Sequence, residues 1–254
     1  MGVNRLDAFE EISEEADYEF AAKVRAWGVH GLTAFGVVAG LLSLAAITQY
    51  EWKLAFAYMM VATAIDSIDG TLARLFKVKI VLPGFDGALL DNLVDYFTFV
   101  IVPGVFIYMA GMLPARLALG GAAMIALVSA YQFCQVDAKT GDHFFKGFPS
   151  YWNVVALYLF LFQFDPWINL MILTGFAISV FVPIRYVYPT RTTAFRKTTL
   201  GLSFIWAVSM IVVLVQFDHH PPWLLWATMA YVAYYFLLSF YFTAQVYRAS
   251  GANA

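Results

Sequence analysis

Apolar residues dominate the chain in long runs that short polar segments interrupt. A helix needs about 20 consecutive apolar residues to cross the ~30 Å hydrocarbon core of a bilayer. The pattern predicts transmembrane helices at about 28–48, 54–76, 87–110, 115–135, 150–164, 167–188, 199–217 and 222–245. The fifth run is short, and only the stretch "QFDPW" separates it from the sixth, so six or seven spans are alternatives to eight.

The segment before the first run is acidic and amphipathic. Its stretch "FEEISEEADYEFAAKVRAW" predicts a helix lying along the membrane interface. It lacks the basic start, short apolar core and small-residue cleavage site of a signal peptide. We therefore expect an all-α, polytopic membrane helix bundle of about eight transmembrane helices with an N-terminal interfacial amphipathic helix. Residues 1–27 would form the cytoplasmic N-terminal segment, 28–248 a single transmembrane domain, and 249–254 a C-terminal tail.

Composition and charge support a membrane protein. Of the 254 residues, 62% are hydrophobic and only 13% are charged, which is too little polar surface for a soluble domain. The net charge of −2 gives no electrostatic basis for binding nucleic acid, and the single cysteine excludes an intrachain disulfide. With the N-terminus inside, 13 of the 15 Lys and Arg residues fall on the cytoplasmic side, leaving only Lys53 and Arg116 outside. This asymmetry places both termini in the cytoplasm.

Charged residues nevertheless occur inside two of the predicted spans. A carboxylate in a membrane-spanning helix costs ~2.5 kcal/mol or more unless it is paired, hydrated or bound to a cation. Helical spacing places each set of residues on one face, and the short connection makes the two helices antiparallel neighbours. The second span carries Asp66, Asp69, Gly70, Ala73 and Arg74, and the third carries Gly87, Asp91 and Asp95.

Four carboxylates facing one another repel unless protons or cations intervene. Carboxylate oxygens without nearby Cys or His favour a hard divalent cation, Mg²⁺ or Mn²⁺, and two such ions would clamp a diphosphate. A structural ion-pair network with Arg74 is one alternative, although one arginine cannot balance four acids. A cation transporter is another, but spans six to eight contain no Asp or Glu that would continue a pathway.

The order and spacing of these residues resemble the signature of the CDP-alcohol phosphotransferase family of integral-membrane, phospholipid-synthesising enzymes. Twelve residues separate Arg74 from Gly87, where most members have about eight or nine. The longer spacing, the stretch "FKGFPSYWN" at 145–153 and the eight spans are similar to the bacterial branch that joins CDP-diacylglycerol to choline, giving phosphatidylcholine and CMP. Relatives that use serine, inositol or glycerol 3-phosphate as acceptor remain alternatives.

The resemblance implies roles for individual residues. Asp66, Asp69, Asp91 and Asp95 would hold the metal ions, two Mn²⁺ or Mg²⁺, with Asp95 also acting as the base that deprotonates the acceptor alcohol. The residues implied to bind the CDP group are Gly70, Ala73, Arg74, Gly87 and Thr33. The resemblance also implies a homodimer in the inner membrane of a bacterium, with the active site facing the cytoplasm.

Choline is a quaternary ammonium without an N–H donor, so a site for it would use aromatic faces. Aromatic residues at predicted cytoplasmic span ends are the candidates, although packing or an interfacial aromatic belt would also account for each of them. Two nearby arginines are candidates for holding a phosphate, or follow only from the positive charge bias. These candidates are Tyr151, Trp152, Tyr186, Tyr188, Arg185 and Arg191.

Overall fold

A computed structural model of the chain describes residues 5–142, 144–217, 219 and 221–251. Ten α-helices make up most of this part of the chain. They are α1 (Arg5–Thr48), α2 (Trp52–Leu75), α3 (Val78–Val81), α4 (Gly87–Asp95), α5 (Val102–Met109), α6 (Ala118–Cys134), α7 (Trp152–Phe162), α8 (Pro166–Ser179), α9 (Arg196–Val215) and α10 (Pro222–Gly251). A π-helix (Tyr96–Ile101) joins α4 to α5, and the two strands are β1 (Phe144–Lys146) and β2 (Arg185–Val187).

Seven of the eight predicted spans coincide with a helix or with consecutive helices. The sixth, 167–188, is helical only as far as Ser179, and its last part contains the strand β2. By length and composition, four helical segments in the described part of the chain can cross a membrane: Tyr18–Thr48, Gly87–Met109, Arg196–Val215 and Pro222–Arg248. The shorter apolar helices are α6, α7 and α8. With 11 and 14 residues, α7 and α8 measure about 17 and 21 Å, which is less than the hydrocarbon thickness. The architecture is therefore that of a helical membrane protein, while the count of eight spans stays a prediction.

The first helix is longer than the predicted first span. It runs without a break from Arg5 to Thr48, so the predicted amphipathic segment and the first span belong to one helix. The predicted N-terminal segment, 1–27, and the predicted tail, 249–254, lie partly outside the described residues, because these exclude 1–4 and 252–254. The interfacial position of the N-terminal turns stays a prediction.

Two glycines bring α1 close to the third predicted span. A Cβ atom at Gly36 would lie 2.8 Å from Cγ1 of Val94, and one at Gly40 would lie 2.5 Å from Cε1 of Phe97. Neither position has room for a side chain, so the two helices pack at short range along this face. This contact holds α1 beside the helix that carries two of the aspartates.

The third span contains a π-helical turn directly after Asp95. Pro103 follows this turn in the first turn of α5, where it lacks an N–H donor and its ring crowds the preceding turn. A π-helical turn accommodates such a break in the hydrogen-bond ladder without ending the helix, and such turns often occur at functional sites.

Aromatic rings fill the centre of the bundle where α2, α5 and α7 meet. The rings of Phe56 and Phe106 lie 4.4 Å apart, and those of Phe106 and Phe160 lie 5.3 Å apart. Offset aromatic pairs at these distances pack favourably beyond the area they bury. The second span is thereby fixed against the third and fifth.

A two-stranded ladder departs from the predicted all-helical fold. β1 and β2 pair antiparallel, with Phe144 opposite Val187 and Lys146 opposite Arg185. The backbone N–H of Arg185 donates to Oγ1 of Thr243 at 2.8 Å, and that of Val187 donates to Oγ of Ser239 at 3.2 Å, so α10 covers the outer edge of β2. Strands of three residues are too short to show a two-residue periodicity, which is why the sequence pattern missed them.

Candidate active site

Three of the four predicted metal ligands come together between α2 and α4. Carboxylate oxygens of Asp66, Asp91 and Asp95 all lie within 4.8 Å of one another, and the three residues are half-buried. The four-residue spacing of Asp91 and Asp95 places both on one face of α4, and that face is turned towards Asp66 on α2.

The fourth aspartate is held by α1. Asp69 is only 4% exposed, and its Oδ2 accepts a hydrogen bond of 2.7 Å from Oγ1 of Thr33. The hydroxyl of Thr33 also lies 3.3 Å from the backbone carbonyl of Val29. The nearest hydrogen-bond partner of Thr33 is therefore Asp69, which lies one turn of α2 beyond Asp66.

A lysine that the sequence analysis did not single out lies beside the carboxylates. Nζ of Lys139 is 3.4 Å from Oδ2 of Asp91. Burial alone would lower the pKa of Lys139, but the charges of Asp91, Tyr188 and Asp95 outweigh it and raise that pKa above its ordinary value. The only sequence signal was its contribution to the positive charge of a cytoplasmic loop. Its position follows from a bridge to β1, opposite Phe145, which no local pattern indicated.

The predicted nucleotide-binding residues line one cavity. Gly70 leaves open space: an added Cβ would have the Arg74 guanidinium, 3.4 Å away, as its nearest contact. Arg74 donates from Nη2 to Oγ1 of Thr71 at 3.0 Å, and Ala73 lies on the same wall.

Gly87 has no such room. A Cβ there would lie 2.5 Å from Cε1 of His30, whose buried Nε2 has no hydrogen-bond partner in the described residues. Asp86 caps the helix that follows by accepting hydrogen bonds from the backbone N–H groups of Ala88 and Leu89. Gly87 thus lets α4 start directly against α1.

The donor set suits a hard divalent cation. Within the described part of the chain, Asp66, Asp91 and Asp95 are the only group of three or more acidic, histidine or cysteine side chains close enough to share an ion. All of its donor atoms are carboxylate oxygens, which Mg²⁺ and Mn²⁺ prefer, whereas Zn²⁺ sites generally include His or Cys. The residues present therefore fit the predicted metals.

Three of the four aspartates line a large cavity of about 1760 Å³, while Asp95, within 4.8 Å of Asp66 and Asp91, is not among the residues that line it. One end is polar and contains Asp66, Asp69, Asp91 and Lys139. The other end runs between α2, α7, α9 and α10, where its walls are mainly apolar and aromatic. Representative residues there are Met59, Leu157, Phe162, Met210 and Trp226. A single space thus joins a charged region to a lipid-like one.

The structure separates the four aromatic residues suggested for choline. Tyr151 and Tyr188 line the cavity near its polar end. Trp152 is fully buried and donates from Nε1 to Oγ of Ser129 at 2.7 Å, while Tyr186 is 2% exposed and lies in the hydrophobic core. Neither Trp152 nor Tyr186 is among the residues that line the cavity.

The two candidate arginines also differ in whether they line the cavity. Arg191 lines the cavity, and its guanidinium lies 5.5 Å from the ring centre of Tyr188. Its buried Nε has no hydrogen-bond partner in the described residues. Arg185 pairs with Asp142 and lies over the ring of Phe144, away from the cavity lining.

A family model for CDP-alcohol phosphatidyltransferases matches residues 30–183. This chain belongs to that family. The match contains all four aspartates, and it confirms the resemblance inferred from the spacing of the signature. Members of the family generally use divalent metals, in agreement with the oxygen-only donor set.

Curated relatives extend the similarity further. The chain is 44% identical to a phosphatidylcholine synthase of Legionella bozemanae over 211 residues, which cover 80% of this chain and 97% of the relative. It is 41% identical to a phosphatidylcholine synthase of Legionella pneumophila, over 86% of this chain and 88% of the relative. A phosphatidylcholine synthase of Pseudomonas aeruginosa is 37% identical over 84% of this chain and 90% of its own length. These shares exceed what residues 1–183 can supply, so the similarity continues into the C-terminal helices.

Proposed function

We propose that this chain is a membrane phosphatidyltransferase that condenses CDP-diacylglycerol with choline to give phosphatidylcholine and CMP. The observation that carries the proposal is the 44% identity to a phosphatidylcholine synthase over 97% of that relative's length. The cavity supports it, because a charged region beside the aspartates continues into an apolar region that suits a diacylglycerol. A diphosphate placed at the aspartates would leave the acyl chains in the apolar region represented by Met59, Leu157, Phe162, Met210 and Trp226.

Two Mn²⁺ or Mg²⁺ ions would be held by Asp66, Asp91 and Asp95, with Asp69 completing the set. When bound, such ions neutralise the diphosphate and polarise the phosphorus that is attacked. The hydrogen bond from Thr33 would orient the Asp69 carboxylate and leave its Oδ1 available. We therefore propose that Thr33 positions the metal-ligating carboxylate of Asp69, in addition to making the nucleotide contact expected from the family.

The chain's own groups supply the remaining chemistry. Asp95 would take the proton from the choline hydroxyl, which makes the oxygen a better nucleophile. That oxygen forms a bond to the phosphorus next to diacylglycerol, the phosphorus–oxygen bond to CMP breaks, and CMP leaves with the electron pair. Holding both substrates in one cavity makes the attack effectively intramolecular.

The surroundings of the aspartates suit a nucleoside diphosphate. Gly70 and Ala73 would let the nucleotide approach the backbone, and Arg74 would face its phosphates. Gly87, whose Cβ position is filled by the His30 ring, would act by letting α4 start against α1. Lys139 and Arg191 line the same polar end and would pair with phosphate oxygens. For choline we retain Tyr151 and Tyr188, because both line the cavity near the aspartates.

The decisive experiment is an acceptor panel with the purified chain in lipid vesicles. With Mn²⁺, CDP-diacylglycerol and labelled choline, we expect labelled phosphatidylcholine and an equal amount of CMP. Product from serine, inositol or glycerol 3-phosphate, with none from choline, would retain the family and refute the acceptor. Metal uptake into the vesicles without a lipid product would instead favour a transporter.

Asp95→Asn tests the base. This variant should lose turnover while still binding CDP-diacylglycerol, because the amide accepts no proton at neutral pH. Asp86→Asn is a matched control on the same helix, since Asp86 caps α4 outside the carboxylate group. Near-normal synthesis by Asp95→Asn would remove Asp95 from this role.

We also propose the finer topology. The helices would make eight membrane passages within a single domain at 28–248, with the aspartates and both termini in the cytoplasm of a bacterium and the N-terminal segment at the interface of the inner membrane. Cysteines introduced near Lys53 and Lys139 in a Cys134→Ser background should react with an impermeant thiol reagent from opposite sides. We propose a homodimer as well, which cross-linking in native membranes would test.

A further inference from the structure

The wall of the cavity opposite the aspartates comes from outside the matched family domain. The family model ends at residue 183, whereas α9 and α10 begin at Arg196 and Pro222. Both helices nevertheless line the cavity, with Ser203, Trp206 and Met210 from α9 and Tyr231 and Tyr235 from α10. The catalytic signature and this opposite wall therefore lie in different parts of the chain.

One tyrosine of this wall has an unused polar group. The hydroxyl oxygen of Tyr235 is buried and has no hydrogen-bond partner in the described part of the chain, although the residue lines the cavity. A buried hydroxyl without a partner is destabilising, so packing alone poorly explains a tyrosine at this position. It is well explained by a ligand that occupies the cavity beside it.

The tyrosines form a path away from the aspartates. The Tyr151 side chain interacts electrostatically with Asp66 on one side and with Tyr235 and Tyr231 on the other. Tyr235 interacts with Tyr231 and Tyr186, and no aspartate contributes to its electrostatic surroundings. Tyr151 therefore lies within electrostatic reach of both Asp66 and the two tyrosines of α10, and all four residues line the cavity.

These helices carry no acidic residue at all between 196 and 217 or between 222 and 251. A primary ammonium would need hydrogen-bond acceptors or a carboxylate, whereas a quaternary ammonium has no N–H group and binds to aromatic faces. Aromatic ring faces without carboxylates on the same helices are the chemistry suited to a trimethylammonium group. The residues of α9 and α10 that line the cavity thus favour choline over ethanolamine or serine as the acceptor.

Hydrogen bonds fix this wall in advance. Oγ of Ser203 lies 2.7 Å from the Tyr231 hydroxyl, so α9 holds the ring of α10. Trp206 donates from Nε1 to the Tyr158 hydroxyl at 2.8 Å, and this links α9 to α7. A site whose rings are already ordered loses less entropy when it binds a ligand.

We infer that Tyr231 and Tyr235 of α10, together with Tyr151, form the subsite for the quaternary ammonium group of the acceptor. This inference rests on the proposed function and deepens it, because it assigns acceptor selectivity to helices beyond the matched family domain. The acceptor's hydroxyl end would point to the carboxylate group that contains Asp66 and the base Asp95, and its ammonium end to α10.

The test compares acceptor kinetics of full-length variants in vesicles with Mn²⁺ and CDP-diacylglycerol. Tyr235→Leu and Tyr231→Leu should each raise the KM for choline by about thirtyfold, since a desolvated cation–π contact is lost. The KM for CDP-diacylglycerol should not change, and the preference for choline over dimethylethanolamine should fall. Tyr235→Phe keeps the ring and should raise the KM far less. Phe240→Leu, on the exposed side of the same helix, is the matched control.

Two outcomes overturn the inference. An unchanged KM for choline in both leucine variants excludes the subsite, and a raised KM for CDP-diacylglycerol alone assigns the rings to the lipid instead. If the leucine variants do not fold, phenylalanines with increasing ring fluorination at position 235 preserve the shape while weakening the ring's negative face. The KM for choline should then rise with each fluorine, and a constant KM overturns the proposal. Wild-type protein that is inactive with choline but active with another alcohol refutes the proposed acceptor itself.

Discussion

Replacing Thr33 with valine removes one hydrogen bond and little else. The Thr33 hydroxyl donates to Oδ2 of Asp69 at 2.7 Å, and the two residues are 7% and 4% exposed. A hydrogen bond to a charged group in such surroundings contributes about 1.5–3 kcal/mol. If Asp69 is a metal ligand that this bond orients, the loss corresponds to roughly a tenfold to hundredfold decrease in metal affinity or activity.

The assay is phosphatidylcholine synthesis over a range of Mn²⁺ concentrations. For Thr33→Val we expect half-saturation to need about ten to a hundred times more Mn²⁺. The rate of synthesis at saturating Mn²⁺ should fall by a smaller factor. Thr33→Ser keeps the hydroxyl and should stay close to wild type. An unchanged Mn²⁺ dependence in Thr33→Val would refute the reasoning. A raised KM for CDP-diacylglycerol alone would show that Thr33 contacts the nucleotide directly.

Three further substitutions test other contacts of the site. Lys139→Met removes a positive charge 3.4 Å from Asp91 and should lower the Mn²⁺ concentration for half-saturation by about two- to fivefold, as expected for a partly exposed ion pair. Gly87→Ala places a Cβ 2.5 Å from the His30 ring and should cost about 1–3 kcal/mol of stability, measured by thermal unfolding in detergent, with recovery in a double variant that shortens His30 to alanine. Gly40→Ala should destabilise the packing of α1 by a similar amount in the same assay.

Matched controls exist for each of these changes. A Cβ added at Gly28 or Gly31 of α1 would meet no atom within 4 Å, so alanine at either position should keep or slightly raise the unfolding temperature, because alanine favours a helix over glycine by about 0.5–1 kcal/mol. Lys139→Arg keeps the positive charge and should retain the wild-type Mn²⁺ dependence. Equal destabilisation by Gly28→Ala and Gly40→Ala would show that the short contact at Gly40 does not set the cost, since helix propensity alone favours alanine at both positions.

Local periodicity was sufficient to predict the part of the site that lies on regular helices. The spacings of Asp66, Asp91 and Asp95 placed them on facing surfaces, because side chains four residues apart share a helix face. Hydropathy located the helices in the same way. These predictions required only the geometry of a helix and the short connection between two of them.

The remainder depends on contacts between distant segments. Lys139 reaches Asp91 because its loop pairs with β1, and the strands are too short to show a pattern. Trp152 and Tyr186 have the same sequence features as Tyr151 and Tyr188, yet the fold buries the first two and places the others in the cavity. Aromatic side chains at helix ends serve packing and binding equally well, so only the tertiary arrangement distinguishes them.

The ladder between β1 and β2 has a consequence for the order in which the protein is completed during its synthesis. The segments that carry the four aspartates leave the ribosome early, and α1, α2 and α4 can pack as soon as residue 109 has emerged. The loop that carries Lys139 is held by β1, which needs β2, whose backbone N–H groups are satisfied by Ser239 and Thr243 near the end of the chain. Because domains form as their segments become available, the charged end of the cavity is closed last, after α10 has entered the membrane. A nascent chain would therefore lack Lys139 beside Asp91 until translation is almost finished.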